Sequence, residues 1–164
     1  MGLGYHEASE RNLHKCTVQN QNKTPVITSA GALITGLKDL NARKIALLCP
    51  YMKNLAKTVV NYISNEGFEV CDWHTLQIPN NLDVAAHDPK NLIDHACNLK
   101  LDDVDVIVVS ACVQMPSLSI IPKLEQITQK PVISAAVCTV YSMLKSLNLE
   151  PIVPDAGTLL AGDY

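Results

Sequence analysis

The sequence predicts a doubly wound α/β fold built on a parallel sheet, and three observations carry that reading. Short apolar runs rich in β-branched residues, KIALLC at 44–49 and VIVVS at 106–110, have the look of buried parallel strands. Amphipathic helical segments of crossover length lie between such runs, and strands alternating with helices pair in parallel through right-handed connections. Turn and capping signals (Pro50-Tyr51, Glu66-Gly67, Asp88-Pro89) fall at the boundaries of the segments rather than within them.

Taken in order, residues 7–19 form a polar helix with Leu13 and Val18 on its apolar side, broken by Asn20-Gln21-Asn22-Lys23. Residues 25–28 form a short strand. Thr28 or Ser29 caps a helix over 30–40, weakened by Gly31 and Gly36. A strand at 44–49 leads through Pro50-Tyr51 into a helix at 53–65, where Leu55, Val59 and Ile63 recur every fourth residue and Gly67 supplies a left-handed stop. A second strand spans 68–73, and a loop spans 75–84. Asp88 caps a helix opened by Pro89, with Leu92, Ile93, Ala96 and Leu99 facing inward. The third strand is 106–110, followed by a helix at 118–129 with Ser117 as its N-cap. A fourth strand at 131–134 and a helix at 136–147 close the pattern, and the last residues, PIVPDAGTLLAGDY, read as no finished element. The expected sheet order is about 2-1-3-4, flavodoxin-like. Residues 40–135 make a complete α/β domain. Residues 1–39 hold partial elements of a second, similar domain, to which a helix and tail at 136–164 return.

Composition sets the frame for function. The chain has 164 residues, 48% hydrophobic and 18% charged, as suits a globular protein with a substantial core. A net charge of -3 gives no general attraction to nucleic acid or acidic membranes. No apolar run approaches the roughly 20 residues that span a bilayer. The start, MGLGYHEASERN, has neither the basic nor the apolar region of a signal peptide, and Gly2-Leu3-Gly4 follows no strand and so is no dinucleotide fingerprint. Six cysteines (Cys16, Cys49, Cys71, Cys97, Cys112, Cys138) form no CxxC pair, which points to free thiols in the cytoplasm rather than disulfides or zinc.

The most informative stretch is VIVVSACVQMPS, residues 106–117. It places Cys112 just past the C-terminal end of a parallel strand, where open α/β sheets bind ligands. A helix start at Ser117 would bring free amides that favour a thiolate and hold anions. In the expected strand order the first and third strands are neighbours, so Tyr51, Asn81 and Cys112 converge at one sheet edge by topology alone. Bland explanations compete. Cysteine after a strand is more often a core residue, a tyrosine can pack by its ring, loop asparagines make turns, and Thr28 and Ser29 serve as caps. Cys49, Cys71 and Cys138 lie in strand or helix patterns and read as core. His74, His87 and His95 read as structural, and no His/Asp/Glu cluster has metal-ligand spacing.

The motifs PVITSAGAL (25–33), ARKIALLCPYM (42–52), NEGFEV (65–70), IPNNLDVAAHDP (78–89), SACVQMPSL (110–118) and KPVISAAVCTVYSMLKSL (130–147) resemble the maleate cis–trans isomerases of the aspartate/glutamate racemase superfamily. The resemblance runs over nearly the whole chain. It implies two similar α/β domains with the site between them, one cysteine from each, and no cofactor or metal. One thiolate adds to the double bond of maleate, the succinyl adduct rotates about its new single bond, and elimination gives fumarate. Cys112 is then the second domain's cysteine and acid/base partner, with Tyr51, Asn81 and Val113 as substrate-binding residues. A small dicarboxylate is the expected partner, in a homo-oligomer, with no nucleic acid or membrane. The family's other cysteine precedes the segment matching GLGYH, so the chain is expected to correspond to the C-terminal two-thirds of an isomerase and to be inactive alone. A racemase or decarboxylase of the same superfamily, or a non-catalytic anion-binding fragment, stand as alternatives.

Overall fold

A computed structural model describes residues 5–19 and 25–162; the expected break at 20–23, Gly2-Leu3-Gly4 and the Val18 side chain lie outside what is described. The elements run α1 (Tyr5–Gln19), α2 (Ser29–Asp39), β1 (Lys44–Cys49), α3 (Lys53–Asn65), β2 (Glu69–Thr75), α4 (Asn81–Ala85), α5 (Asn91–Cys97), β3 (Val106–Ser110), α6 (Ile121–Thr128), β4 (Val132–Ser134) and α7 (Ala135–Ser146). The four strands form one parallel sheet in the order β2-β1-β3-β4, as the alternation of elements predicts.

The central strands β1 and β3 pair through Ile45↔Val106, Ala46↔Ile107 and Leu47↔Val108. Both are apolar on both faces because helices cover both faces, and every residue of β3 is buried. Asp105 stitches their N-terminal ends together, its carboxylate accepting from the Arg43 and Lys44 amides at 2.8 Å each. These two bonds hold the carboxyl below its ordinary range. The core is continuous from Leu33 and Leu37 of α2 through both central strands to Ile121 and Leu124 of α6.

Several expectations change on contact with the fold. Residues 25–28 join no sheet. Pro25 has no amide to donate, while the Thr28 amide and hydroxyl both donate to the Glu10 carboxylate at 3.0 Å. Thr28 then caps α2, accepting from Gly31 N–H at 3.0 Å. The second strand begins at Glu69 and runs to Thr75, with its register slipping between Ile45 and Ala46 of the partner. It is an edge strand, so Cys71 is exposed rather than core, whereas Cys49 and Cys138 are buried as expected. The 75–84 loop contains α4, capped by the Asn80 side chain. Asp88 does not cap α5. Its carboxylate accepts from Lys90 N–H at 2.9 Å in a local turn, and the helix proper starts at Asn91. Ser117 caps nothing with its side chain. A 3₁₀ turn, Leu118–Ile120, precedes α6, whose first turn holds Pro122 where no amide is required.

The carboxyl-terminal residues are more structured than their composition suggests. Val153 N–H donates to Leu160 O at 2.8 Å, a 3₁₀ turn spans Thr158–Leu160, and Leu159 and Leu160 are buried. Glu125 holds this segment by accepting from Thr158 N–H at 3.0 and 3.1 Å.

Gly36 has a structural reason to be glycine. α2 and α7 cross closely there, and a β-carbon at Gly36 would sit 2.7 Å from Cys138 Sγ and 3.1 Å from Leu159 Cδ2. Gly36→Ala should therefore destabilise the fold by about 1–3 kcal/mol through overpacking. Adding Cys138→Ala should recover part of the loss, because it removes the clashing sulfur. Thermal denaturation of the two single variants and the double variant measures this coupling, and strictly additive losses would contradict the close-approach explanation.

Candidate active site

The site is built from three neighbouring strand exits. At the end of β1 the chain reads Cys49-Pro50-Tyr51. At the end of β3 it reads Ser110-Ala111-Cys112. Because β1 and β3 pair in parallel, these tripeptides leave the sheet side by side, and Ala111 N–H still donates to Leu48 O at 3.3 Å beyond the last ladder pair. The exit of β2 is laced onto that of β1. Leu76 N–H donates to Cys49 O at 3.0 Å, Ile78 N–H donates to Pro50 O at 2.9 Å, and the Thr75 hydroxyl donates to Tyr51 O.

Tyr51 and Cys112 are brought together as topology predicted. The Tyr51 hydroxyl donates to Ala111 O at 3.2 Å and faces the Cys112 thiol. Burial pushes the phenol well above its ordinary value, and the nearby Cys112 and Cys49 thiols reinforce the shift. Tyr51 is therefore a neutral donor throughout the ordinary pH range. Cys49 lies beneath, wholly buried, its own thiol pushed up by burial and its Sγ 3.9 Å from His74 O.

Cys112 is buried at 8% exposure, while Val113 beside it is 49% exposed. Among the described residues the Val113 and Gln114 amides donate to no acceptor. Asn81 is the exposed first residue of α4, with the capping done by its neighbour Asn80, which accepts from Leu82 N–H at 3.0 Å. No hydrogen bond joins Asn81 to Tyr51 or Cys112 among the described residues.

Two contributors were missed from the sequence. Ser110 is wholly buried and bonds Cys112 twice, and Thr75 fixes the Tyr51 backbone. A hydroxyl closing an otherwise apolar strand was the available signal for Ser110. Of the histidines assigned a structural role, His74 and His95 stack at 5.2 Å between β2 and α5, while the buried His87 Nε2 has no hydrogen-bond partner among the described residues. Among the described residues no group of three or more His, Cys, Asp or Glu could hold a metal ion, and no helix is long and apolar enough to cross a membrane.

With this geometry in place, comparison with known proteins is informative. Residues 3–160 match the arylmalonate decarboxylase family. The chain belongs to that family. Among its relatives, a maleate isomerase of Pseudomonas putida is 56% identical over 164 residues, covering 100% of this chain and 66% of the relative. The curated relatives it matches are maleate isomerases, and the chain spans 64–66% of their length. A solved maleate isomerase from Pseudomonas putida, a cysteine-to-alanine variant with maleate, superposes with a TM-score of 0.95 at 53% identity, covering 100% of this chain and 66% of that one. A Nocardia farcinica maleate cis–trans isomerase variant with a covalently bound succinylcysteine intermediate superposes with a TM-score of 0.94 at 39% identity, covering 97% of this chain and 65% of that one.

The raised phenol makes a pH prediction. A tyrosine kept protonated by the fold adds nothing to the pH dependence while both states are protonated. As pH rises past the ordinary phenol value of 10.0, the unfolded chain ionises first and stability falls. Tyr62, pushed up to about 12 chiefly by burial, adds to the same alkaline limb. In urea melts between neutral and strongly alkaline pH, Tyr51→Phe should make that limb shallower without abolishing it. An unchanged slope would show that Tyr51 ionises as freely in the fold as out of it.

Proposed function

We propose that these residues form the Cys112 half of a cofactor-independent maleate cis–trans isomerase. The observation that carries the reading is the Tyr51 hydroxyl facing the Cys112 thiol at the joint exit of β1 and β3, in a chain whose matched relatives are maleate isomerases. Tyr51, the Val113 amide and Asn81 hold the substrate carboxylates as neutral donors. A second cysteine, supplied from outside the described site, adds its sulfur to one alkene carbon. That sulfur attacks as a thiolate, and the electron pair displaced to the other carbon takes the proton of the Cys112 thiol. The former double bond, now single, rotates. The Cys112 thiolate then removes that proton, the carbon–sulfur bond breaks, and fumarate leaves with the attacking thiolate and the Cys112 thiol both restored.

The 164 residues hold one thiol at the described site edge besides the buried Cys49, so on this reading the polypeptide alone binds a dicarboxylate without converting it. We assign residues 1–39 and 136–164 to a second domain beside the 40–135 unit, with α2 packed against α7 and both sharing the core of the sheet. Exposed Leu82, Val113 and Leu118 around the Cys112 edge support its being covered in a larger assembly, with a homo-oligomer as our preferred form. Cysteines without disulfides suit the reducing cytoplasm.

The test is a fusion of this chain to the third of the Pseudomonas putida relative that it does not match, followed by proton NMR of maleate. The fusion should form fumarate, the chain alone should not, and Cys112→Ser in the fusion should cost about a hundred-fold or more, the usual range for a proton-transfer group. Maleate persisting with a folded fusion would remove the isomerase reading, and near-full activity in the serine variant would remove Cys112 from it.

A further inference from the structure

Cys112 stands on a backbone more tightly specified than that of an ordinary loop residue. The Ser110 hydroxyl donates to Cys112 O at 2.6 Å and accepts from Cys112 N–H at 3.1 Å, so one side chain engages both backbone groups of the same residue two positions on. Ser110 is wholly buried, and no water is needed to satisfy it, since a hydroxyl carries one donor and spare acceptor capacity. The intervening Ala111 is tied as well, through its N–H to Leu48 O and its carbonyl to Tyr51. On the far side the Met115 side chain, 1% exposed, anchors the loop in the core. A serine that merely ended a strand would need one such bond. Two bonds to Cys112 fix the backbone from which its thiol projects and withdraw the Cys112 amide from any role toward a ligand.

We propose that Ser110 is a positioning residue: by clamping the Cys112 N–H and C=O it aims the thiol at the Tyr51 hydroxyl and leaves Val113 as the first amide free to meet an anion. The use of that thiol rests on the isomerase reading above; the clamp itself does not.

The test reads Cys112 directly. The whole chain is alkylated with anionic iodoacetate and, separately, with neutral iodoacetamide across a range of pH, and modification of Cys112 is followed by peptide mass spectrometry. Ser110→Ala should slow carboxymethylation by iodoacetate about five-fold, the equivalent of one neutral hydrogen bond, and should slow the neutral reagent less. Since Ala leaves a small void, Ser110→Thr and Ser110→Val provide a pair of equal shape. The threonine variant should approach the wild-type rate and pH profile, and the valine variant should follow alanine. Superimposed profiles for all four proteins would overturn the proposal, as would threonine behaving like valine, or a Cys112 inert to both reagents throughout. None of these readouts involves maleate. A fusion that isomerises normally while the profiles superimpose refutes only the clamp, and an inactive fusion with the expected profiles refutes only the isomerase reading.

Discussion

The parallel pairing of β1 with β3 is the constraint from which the site follows. Two central strands, buried on both faces, end together, so the residues just beyond them have nowhere to go but over the same edge. What is unusual is how little slack remains. Ala111 continues the ladder to Leu48 by its amide and receives the Tyr51 hydroxyl at its carbonyl, so a tyrosine from one strand exit closes on the backbone of the other. A slip of one residue in this pairing would turn Cys112 to the opposite face and part it from the phenol.

The edge strand contributes in a different way. β2 is half-exposed and its register is irregular, yet its exit carries three bonds onto the Cys49–Tyr51 segment. Thr75 in particular holds the Tyr51 carbonyl while the side chain reaches across to Ala111. The rigid central pair sets the direction of the site, and the outer strand fixes the tyrosine's main chain within it. Positioning of this kind, by packed elements and backbone bonds, is what keeps reacting groups within the narrow tolerances that catalysis requires.

How much of this could be read from residues alone depends on the range of the forces involved. The strands 44–49 and 106–110, the helix 53–65 and the sheet order were legible because they follow from hydrophobic period and alternation, which are local and redundant. The convergence of Tyr51 with Cys112 was legible because topology alone dictates it. The five-residue helix at Asn81 was not, since one turn has no period to detect and the Asn80 cap resembles an ordinary loop asparagine. Cys71 was misjudged because its strand pattern does not say whether the strand is central or at the edge. The helix expected after Ser117 starts later because the 3₁₀ turn and Pro122 together move its first full turn to Ile121. Ser110 was overlooked because its role depends on the path of the next two residues, which no propensity encodes.

The donors that the structure brings to this edge are uncharged: a phenol and the peptide amides of Val113 and Gln114. Charge attraction is therefore not what the site offers an anion, and the chain as a whole, at -3, does not offer it either. A cation would bind many anions and would stabilise a thiolate at rest as strongly as a transition state. Fixed neutral dipoles discriminate by position, and they cost no reorganisation when charge moves among sulfur, carbon and carboxylate. The burial that raises the phenol keeps Tyr51 a donor beside the Cys112 thiol. On the proposed reading, an apolar sheet end with clamped backbones suits chemistry in which a sulfur and a proton add across a double bond and leave again without any net change of charge.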